Sequence, residues 1–260
     1  MATDVSSFNR LSVAIEPPVA RVSLKNPPVN IIDVPMMEEL ASVLAEIEAE
    51  PKIIAAVFRG QDKDFSAGVD IAAHTAENVS TMLEKFHGVI RAVVASRKVT
   101  IALVHGNCLG GAAELAMLCD IVITTDDATW GFPEIRLGCF PPVAATALGA
   151  LIGHKRAADL MLTGATVRGN EAAEIGLATR AVPGDKIEAA IEGALEHLQQ
   201  QSPAALAIAK KAIYSWDSMH FDKGLGRAEK IYREELMMTE DAHEGVRAFL
   251  EKRNPMWQGR

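Results

Sequence analysis

Two rhythms of hydrophobic and polar positions run along this chain, and the change from one to the other divides it. Leu11–Glu16 and Val19–Leu24 read as two short strands separated by Pro17–Pro18. From Pro35 to Glu50 the spacing becomes helical, with Met37, Leu40, Leu44 and Ile47 on one face, acidic residues opposite, and Asp33 placed to cap. Ile53–Arg59 and Val99–Val104 are continuous apolar runs, which predict strands buried on both faces. Between them, helical spacing returns over Met82–Ala95 through Met82, Phe86, Val89, Ile90 and Val93. The segments 26–30, 60–68 and 105–111 read as loops or turns. A short helix runs on through Leu118, and Ile121–Thr125 and Ala128–Gly131 are short strands.

Beyond residue 140 the pattern predicts helices at Ala144–Gly153, His154–Thr163, Gly169–Ile175, Asp185–Gln200, Pro203–Trp216, Asp222–Met238 and Asp241–Lys252. The chain is therefore α/β first, with an α-rich end. Neither a repeat of fixed period nor a Ser/Gly-rich linker interrupts it. At 260 residues, one large domain with a helical appendage is the default.

Charge and cysteine content narrow the partners. The net charge of −8, without a basic stripe, argues against a nucleic-acid surface, so an anionic ligand must be held by a few local cations and backbone amides. Cys108, Cys119 and Cys139 are odd in number, lie in mostly apolar surroundings and have no CxxC or Cys/His ligand spacing. They predict reduced, buried thiols in a cytoplasmic protein, with no metal site. The first ten residues lack the apolar core of a secretory signal, and the most apolar region, Ile101–Thr125, is broken by His105, Asn107, Glu114 and Asp120. His74, His87, His105, His154, His197, His220 and His243 form no HExxH or triad-like grouping and read as structural or exposed. P-loop and GxSxG patterns are absent.

Three segments carry candidate chemistry. In the first, the Val99–Val104 strand ends at a Gly-rich turn, and small residues open a helix at Gly110–Gly111. Glycines let a ligand approach the backbone, and a helix start offers unpaired amides with partial positive charge. Glu114 lies three residues beyond Gly111, about 4.5 Å along the axis, and helical side chains lean back toward the N-terminus. Its carboxylate is predicted to approach whatever the Gly111 amide binds, though dipole stabilisation alone accounts for an acid there. The second segment is Phe65–Ile71, a small-residue loop after a buried strand, where Asp70 also suits a plain helix cap. In the third, Trp130-Gly-Phe-Pro-Glu-Ile-Arg-Leu-Gly138, Glu134 taken alone reads as a solvated or capping residue. Only a pairing with Glu114, which spacing does not reveal, gives it interest.

Ser66-Ala-Gly-Val-Asp70, Leu109-Gly-Gly-Ala-Ala-Glu-Leu-Ala-Met-Leu-Cys-Asp120 and Phe132-Pro-Glu-Ile-Arg-Leu-Gly138, in this order, resemble the crotonase (enoyl-CoA hydratase/isomerase) superfamily. The likeness covers almost the whole chain, from Asn26-Pro-Pro-Val-Asn30 to Ala248-Phe-Leu-Glu-Lys-Arg253. It implies a spiral of ββα units over residues 1–200 and a helical region over 201–260 that builds homotrimers, often paired into hexamers. It implies a coenzyme A thioester substrate without a prosthetic group, and an oxyanion hole made by the amides of Ala67 and Gly111. Glu114 and Glu134 match both hydratase carboxylates, which we assign to water activation and proton delivery respectively. The likeness also places Lys25 near the CoA phosphates, the Ala67–Ile71 loop (Asp70 included) around the adenine, and Lys252 at the nucleotide, from its own or a neighbouring subunit.

The departures bear on the acyl group. Where short-chain hydratases carry a Gly-rich stretch, this chain has Phe140-Pro-Pro-Val-Ala-Ala-Thr146, and Trp130 and Phe132 replace the usual Phe and Gln. Trp130, Phe132, Phe140 and Pro142 are thus expected to reshape the acyl pocket. The combination is similar to hydratases of cyclohexa-1,5-diene-1-carbonyl-CoA. A general short-chain hydratase, an isomerase or another acyl-CoA reaction stays open. Rivals from other classes fit less well. The GxxxGG spacing at Gly106–Gly111 is not the GxGxxG of a dinucleotide enzyme. Two carboxylates and an acidic balance oppose an idle RNA-binding scaffold, and a Clp-type protease lacks a serine in a nucleophile context.

Overall fold

The computed structural model describes residues 8–214 and 217–259. β1 (Leu11–Glu16) and β2 (Val19–Leu24) form an antiparallel hairpin, followed by α1 (Val34–Ala49). α1 begins where the Asp33 side chain accepts the Met36 amide at 3.0 Å, with Pro35 in the first turn, and it buries the stripe Met36, Met37, Leu40, Val43, Leu44 and Ile47. There follow β3 (Ala55–Gly60), α2 (Val79–Ala95), β4 (Val99–Val104), β5 (Asn107–Leu109), α3 (Gly111–Met117), β6 (Ile121–Thr125) and β7 (Thr129–Gly131). The remainder comprises α4 (Pro142–Ile152), α5 (His154–Thr163), β8 (Thr166–Arg168), α6 (Gly169–Glu174), β9 (Arg180–Val182), α7 (Ile187–Gln199), α8 (Pro203–Tyr214), α9 (Asp217–Glu234) and α10 (Glu240–Leu250).

The main sheet has the order β1-β2-β3-β4-β6-β9 and is parallel from β2 onward. Both faces are covered, so β4 is buried at every position. Val57, Ile101, Leu103 and Ile123 pack against Ile191 and Leu195 of α7, while the opposite face joins the larger core with α1, α2 and α4. Parallel order also places the ends of β2, β3, β4 and β6 on one edge, so the loops after Leu24, Gly60 and Val104 gather there. Such edges are where ligands bind in open α/β sheets.

Three strands escape the sequence pattern: β5, β8 and β9. Each has three residues, too few to show a period of two. β5 lies inside the segment expected to be a plain turn, and with β7 and β8 it forms a second sheet. The helix expected over Asp222–Met238 begins earlier and ends at Glu234, before a 3-10 turn at Leu236–Met238. The predicted end of the preceding helix, Trp216, lies outside the described residues, as does the start of the chain through Ser7.

Every element after residue 200 is helical, yet Leu225, Tyr232, Met237 and Val246 belong to the main core. α9 is pinned to α2 by the buried His87, whose Nδ1 meets Glu229 Oε1 at 2.8 Å, and by Arg91 to the same oxygen at 2.8 Å. Burial lowers the His87 pKa against the pull of Glu229, so a neutral ring donates its Nδ1–H to the carboxylate. Among the described residues no helix is long and apolar enough to cross a membrane.

Candidate active site

The small sheet brings the two carboxylates together. β5 pairs in parallel with β7, Asn107 opposite Thr129 and Leu109 opposite Gly131. α3 and the 3-10 turn Pro133–Leu137 therefore leave from the same end, and the Gly110 amide ties them by donating to the Gly131 carbonyl at 2.9 Å. At Gly110 the backbone turns with φ +55°, and a methyl placed there would lie 2.7 Å from Glu134 Oε1. The Glu134 carboxylate thus rests over the start of α3. Glu114 sits one turn into that helix, its amide bonded to the Gly110 carbonyl at 3.0 Å.

Glu114 is only 3% exposed, and the sequence shows what holds it there. Pro141 and Pro142 start α4 sharply, leaving the amides of its first turn without helical acceptors. The Ala144 amide donates to Glu114 Oε1 at 2.8 Å, so the glutamate caps a helix that is not its own. Glu134 Oε2 is also buried and has no hydrogen-bond partner among the described residues.

This arrangement perturbs both acids, and unequally. Burial pushes Glu114 up to about 7 against the opposing pull of the Ala144 and Val143 amides. Burial, then the charge of Glu114, pushes Glu134 up to about 8. The pair thus shares one proton near neutral pH, with the ionised form favoured on the amide-bonded Glu114. Both pKa values are raised above the ordinary 4.5, so folding retains a proton that the unfolded chain releases. The associated stability is full below pH 4.5 and is lost as pH rises through the interval from about 7 to about 8. Urea unfolding should show the protein losing at least about 1.4 kcal/mol more than Glu134→Gln between pH 5 and pH 9, the equivalent of one pKa unit. Parallel pH curves for the two proteins would show that the carboxyls are not coupled in the fold.

The Phe65–Ile71 loop lies against β5 through a parallel bridge between Ser66 and Cys108. Here the expectation for Ala67 fails. Its amide donates to the Val29 carbonyl at 2.9 Å and is not free to meet a ligand. Two residues on, Ile32 bonds the Gly68 carbonyl and the Asp70 amide, so the N–H of Val69 faces away from Ile32. A Cβ built on Gly111 would meet the Val69 side chain at 2.6 Å, and one built on Gly68 would lie 3.6 Å from the Gly111 amide. Val69 and Gly111 are therefore neighbours. Neither amide has a backbone acceptor among the described residues.

The remaining expected site residues divide. Trp130 and Phe132 are completely buried, and the Trp130 indole N–H is bonded to Thr124 Oγ1 at 3.0 Å. They shape the site from behind, as core, and are not exposed walls of a pocket. Pro142 is buried at the head of α4, whereas Phe140 lines a cavity of about 740 Å³ with Thr146, Leu177, Phe221 and Ile231. Asp70 caps the 3-10 turn Ile71–His74, its Oδ1 accepting the Ala72 amide at 3.0 Å, and Ile71 is half-buried. Lys25 is exposed just past β2, on the sheet edge that carries the site loops. Lys252 is exposed just past α10, whose last turn faces the Ile71–His74 turn across a groove lined by His74, Glu77, Arg247 and Glu251. Cys108, Cys119 and Cys139 are buried free thiols. Sequence reasoning missed Val69 and the amides of Val143 and Ala144, because hydrogen-bond direction in a loop leaves no trace in residue type.

Comparison with known proteins shows the family. The family model described as enoyl-CoA hydratase/isomerase matches residues 14–260. The chain is 33% identical over 240 residues to a cyclohexa-1,5-dienecarbonyl-CoA hydratase of Thauera aromatica, covering 92% of this chain and 93% of that one. It is 34% identical over 261 residues to a probable enoyl-CoA hydratase of Bacillus subtilis, covering 97% and 100%. Among solved structures, an enoyl-CoA hydratase from Bacillus anthracis superposes with a TM-score of 0.77 at 31% identity, over 97% of this chain and 100% of that one. The chain belongs to the enoyl-CoA hydratase/isomerase family and is an enzyme of the hydro-lyase class that these relatives' names define.

Proposed function

We infer that the protein adds water across the double bond of an α,β-unsaturated acyl-CoA thioester. The observation that carries this reading is the pairing of buried Glu114 with half-buried Glu134, whose Oε2 is buried, beside the adjacent amides of Val69 and Gly111. Water bonds through its oxygen to the β-carbon and yields a proton to one carboxylate, while the α-carbon takes a proton from the other. Between these events negative charge rests on the thioester oxygen. Two preorganised amides stabilise it, each donor contributing about 3–4 kcal/mol. The amides of Val69 and Gly111 fill that role. Glu114, whose ionised form is favoured by the α4 amides, is the base that activates water, and Glu134, which holds its proton to higher pH, is the acid.

For the CoA moiety, Lys25 is assigned to the phosphates, the Ala67–Ile71 loop with Asp70 to the adenine, and Lys252 to the nucleotide. A homotrimer or a hexamer of paired trimers, working in the cytoplasm, completes the reading. The acyl group has two supported identities. The alicyclic diene rests on the Phe140-Pro-Pro segment and on the Thauera relative, and a linear enoyl group rests equally on the Bacillus subtilis relative. A further relative at 31% identity, from Escherichia coli, is named 2,3-dehydroadipyl-CoA hydratase, so this degree of likeness spans different acyl groups.

The test is loss of the conjugated thioester absorbance with crotonyl-CoA and with cyclohexa-1,5-diene-1-carbonyl-CoA. Turnover of the diene alone supports the alicyclic reading. Efficient turnover of crotonyl-CoA supports the general one. Turnover of neither, with isomerisation of a 3-enoyl-CoA, removes hydration from the reading.

A further inference from the structure

Tyr232 lies on the buried face of α9 and is 1% exposed. Its ring packs against Phe140 with centroids 5.2 Å apart and planes at 57°, next to the segment that starts α4. Its hydroxyl makes no well-aligned hydrogen bond among the described residues, the Cys139 sulfur beside it being a weak acceptor. The Cys139 thiol nearby is turned instead toward the Leu137 carbonyl, at 3.6 Å. Burial foremost, then the neighbouring Cys139 thiol and the charges of Glu134 and Glu114, raise the phenol's pKa, so it keeps its proton within the field of both carboxylates.

A buried hydroxyl without a partner is rare and destabilising, and a phenylalanine would fill the same space without that penalty. The other unpartnered buried atom of this site is Glu134 Oε2. One is a donor, and the other keeps acceptor capacity while the carboxyl carries its proton on Oε1. Both lie beside Cys139, whose amide donates to the Glu134 carbonyl at 3.1 Å, which suits them to share a single oxygen that both donates and accepts. α9 is rigidly placed for this, because Glu229, one turn before Tyr232, is bonded to His87 and Arg91.

We propose that Tyr232 is a positioning residue which, with Glu134 Oε2, holds the oxygen that becomes the new hydroxyl of the acyl chain. The proposal rests on the hydratase reading. Tyr232 keeps its proton throughout: the water proton goes to Glu114, the proton on the α-carbon comes from Glu134, and the phenol only donates a hydrogen bond. α9 thereby takes part in the chemistry as well as in packing.

Tyr232→Phe decides the matter, assayed with the better of the two substrates above. One well-formed hydrogen bond corresponds to about tenfold in rate. The expected result is a kcat about tenfold lower, a KM within about threefold, and a melting temperature equal to or above that of the unaltered protein. In competition, the preference for 3-hydroxybutyryl-CoA over butyryl-CoA, which differ only by the hydroxyl, should also shrink about tenfold. An unchanged kcat with an unchanged preference overturns the proposal. So does a lower melting temperature, which would show the hydroxyl satisfied within the fold. Hydration by the unaltered protein separates these outcomes from failure of the underlying reading: if it hydrates neither substrate, the hydratase reading fails and the proposal falls with it.

Discussion

Replacing Glu134 with glutamine is expected to lower kcat by about 10²- to 10⁴-fold, the usual range for removing a positioned acid or base. The glutamine side chain keeps the shape of the acid and its place over Gly110, so KM should change far less than kcat and the fold should persist. The same loss is expected for Glu114→Gln, whose amide oxygen can still accept from Ala144. The two variants should differ in pH response. In the unaltered protein the active form carries one proton on the pair, so the rate should rise and fall around the interval from about 7 to about 8. Residual activity of Glu134→Gln should lose the alkaline limb, since the group that must stay protonated is gone. That of Glu114→Gln should lose the acid limb. A Glu134→Gln rate within tenfold of the unaltered protein would remove this residue from the chemistry.

How much of this was legible beforehand follows from what each residue's role depends on. Long elements declare themselves: α1 repeats its apolar stripe over four turns and β4 is apolar throughout, so periodicity and run length suffice. Glu114 was legible because its neighbours are small and apolar, and an acid among them needs a reason. Its convergence with Glu134 was not, since it depends on β7 pairing with β5, a strand too short to have a pattern. The amide we propose for the oxyanion lies two residues beyond the expected Ala67 for a related cause. Ala67 and Val69 are equally plausible by type, and the choice is made by the Val29 carbonyl, which occupies one amide, and by the Ile32 bridge, which turns the other outward. Nothing in the sequence around Tyr232 singles it out. What sets it apart is an unbonded hydroxyl, a property of its surroundings.

Gly110→Ala should disable the enzyme from the backbone side. The position has φ +55° and ψ −129°, a sparsely populated region where a side chain costs about 1–3 kcal/mol, and the added methyl would meet Glu134 Oε1 at 2.7 Å. One of the two must move. The Gly110 amide and carbonyl are bonded to Gly131 and Glu114, so the backbone is held and the Glu134 carboxylate is the part displaced. A shift of about 1 Å at a reacting group costs on the order of 10²-fold in rate, and a loss of that size in kcat is the expected result. Gly153→Ala separates this from strain alone. That glycine has φ +83° and nothing within 4 Å of an added methyl, so it should lose comparable stability and keep its activity. Equal activity loss in both variants would mean that the rate follows global stability, and that contact between Gly110 and Glu134 does not position the acid. A selective loss in Gly110→Ala would instead show that the glycine is required for the space it leaves to Glu134, beyond the turn it permits.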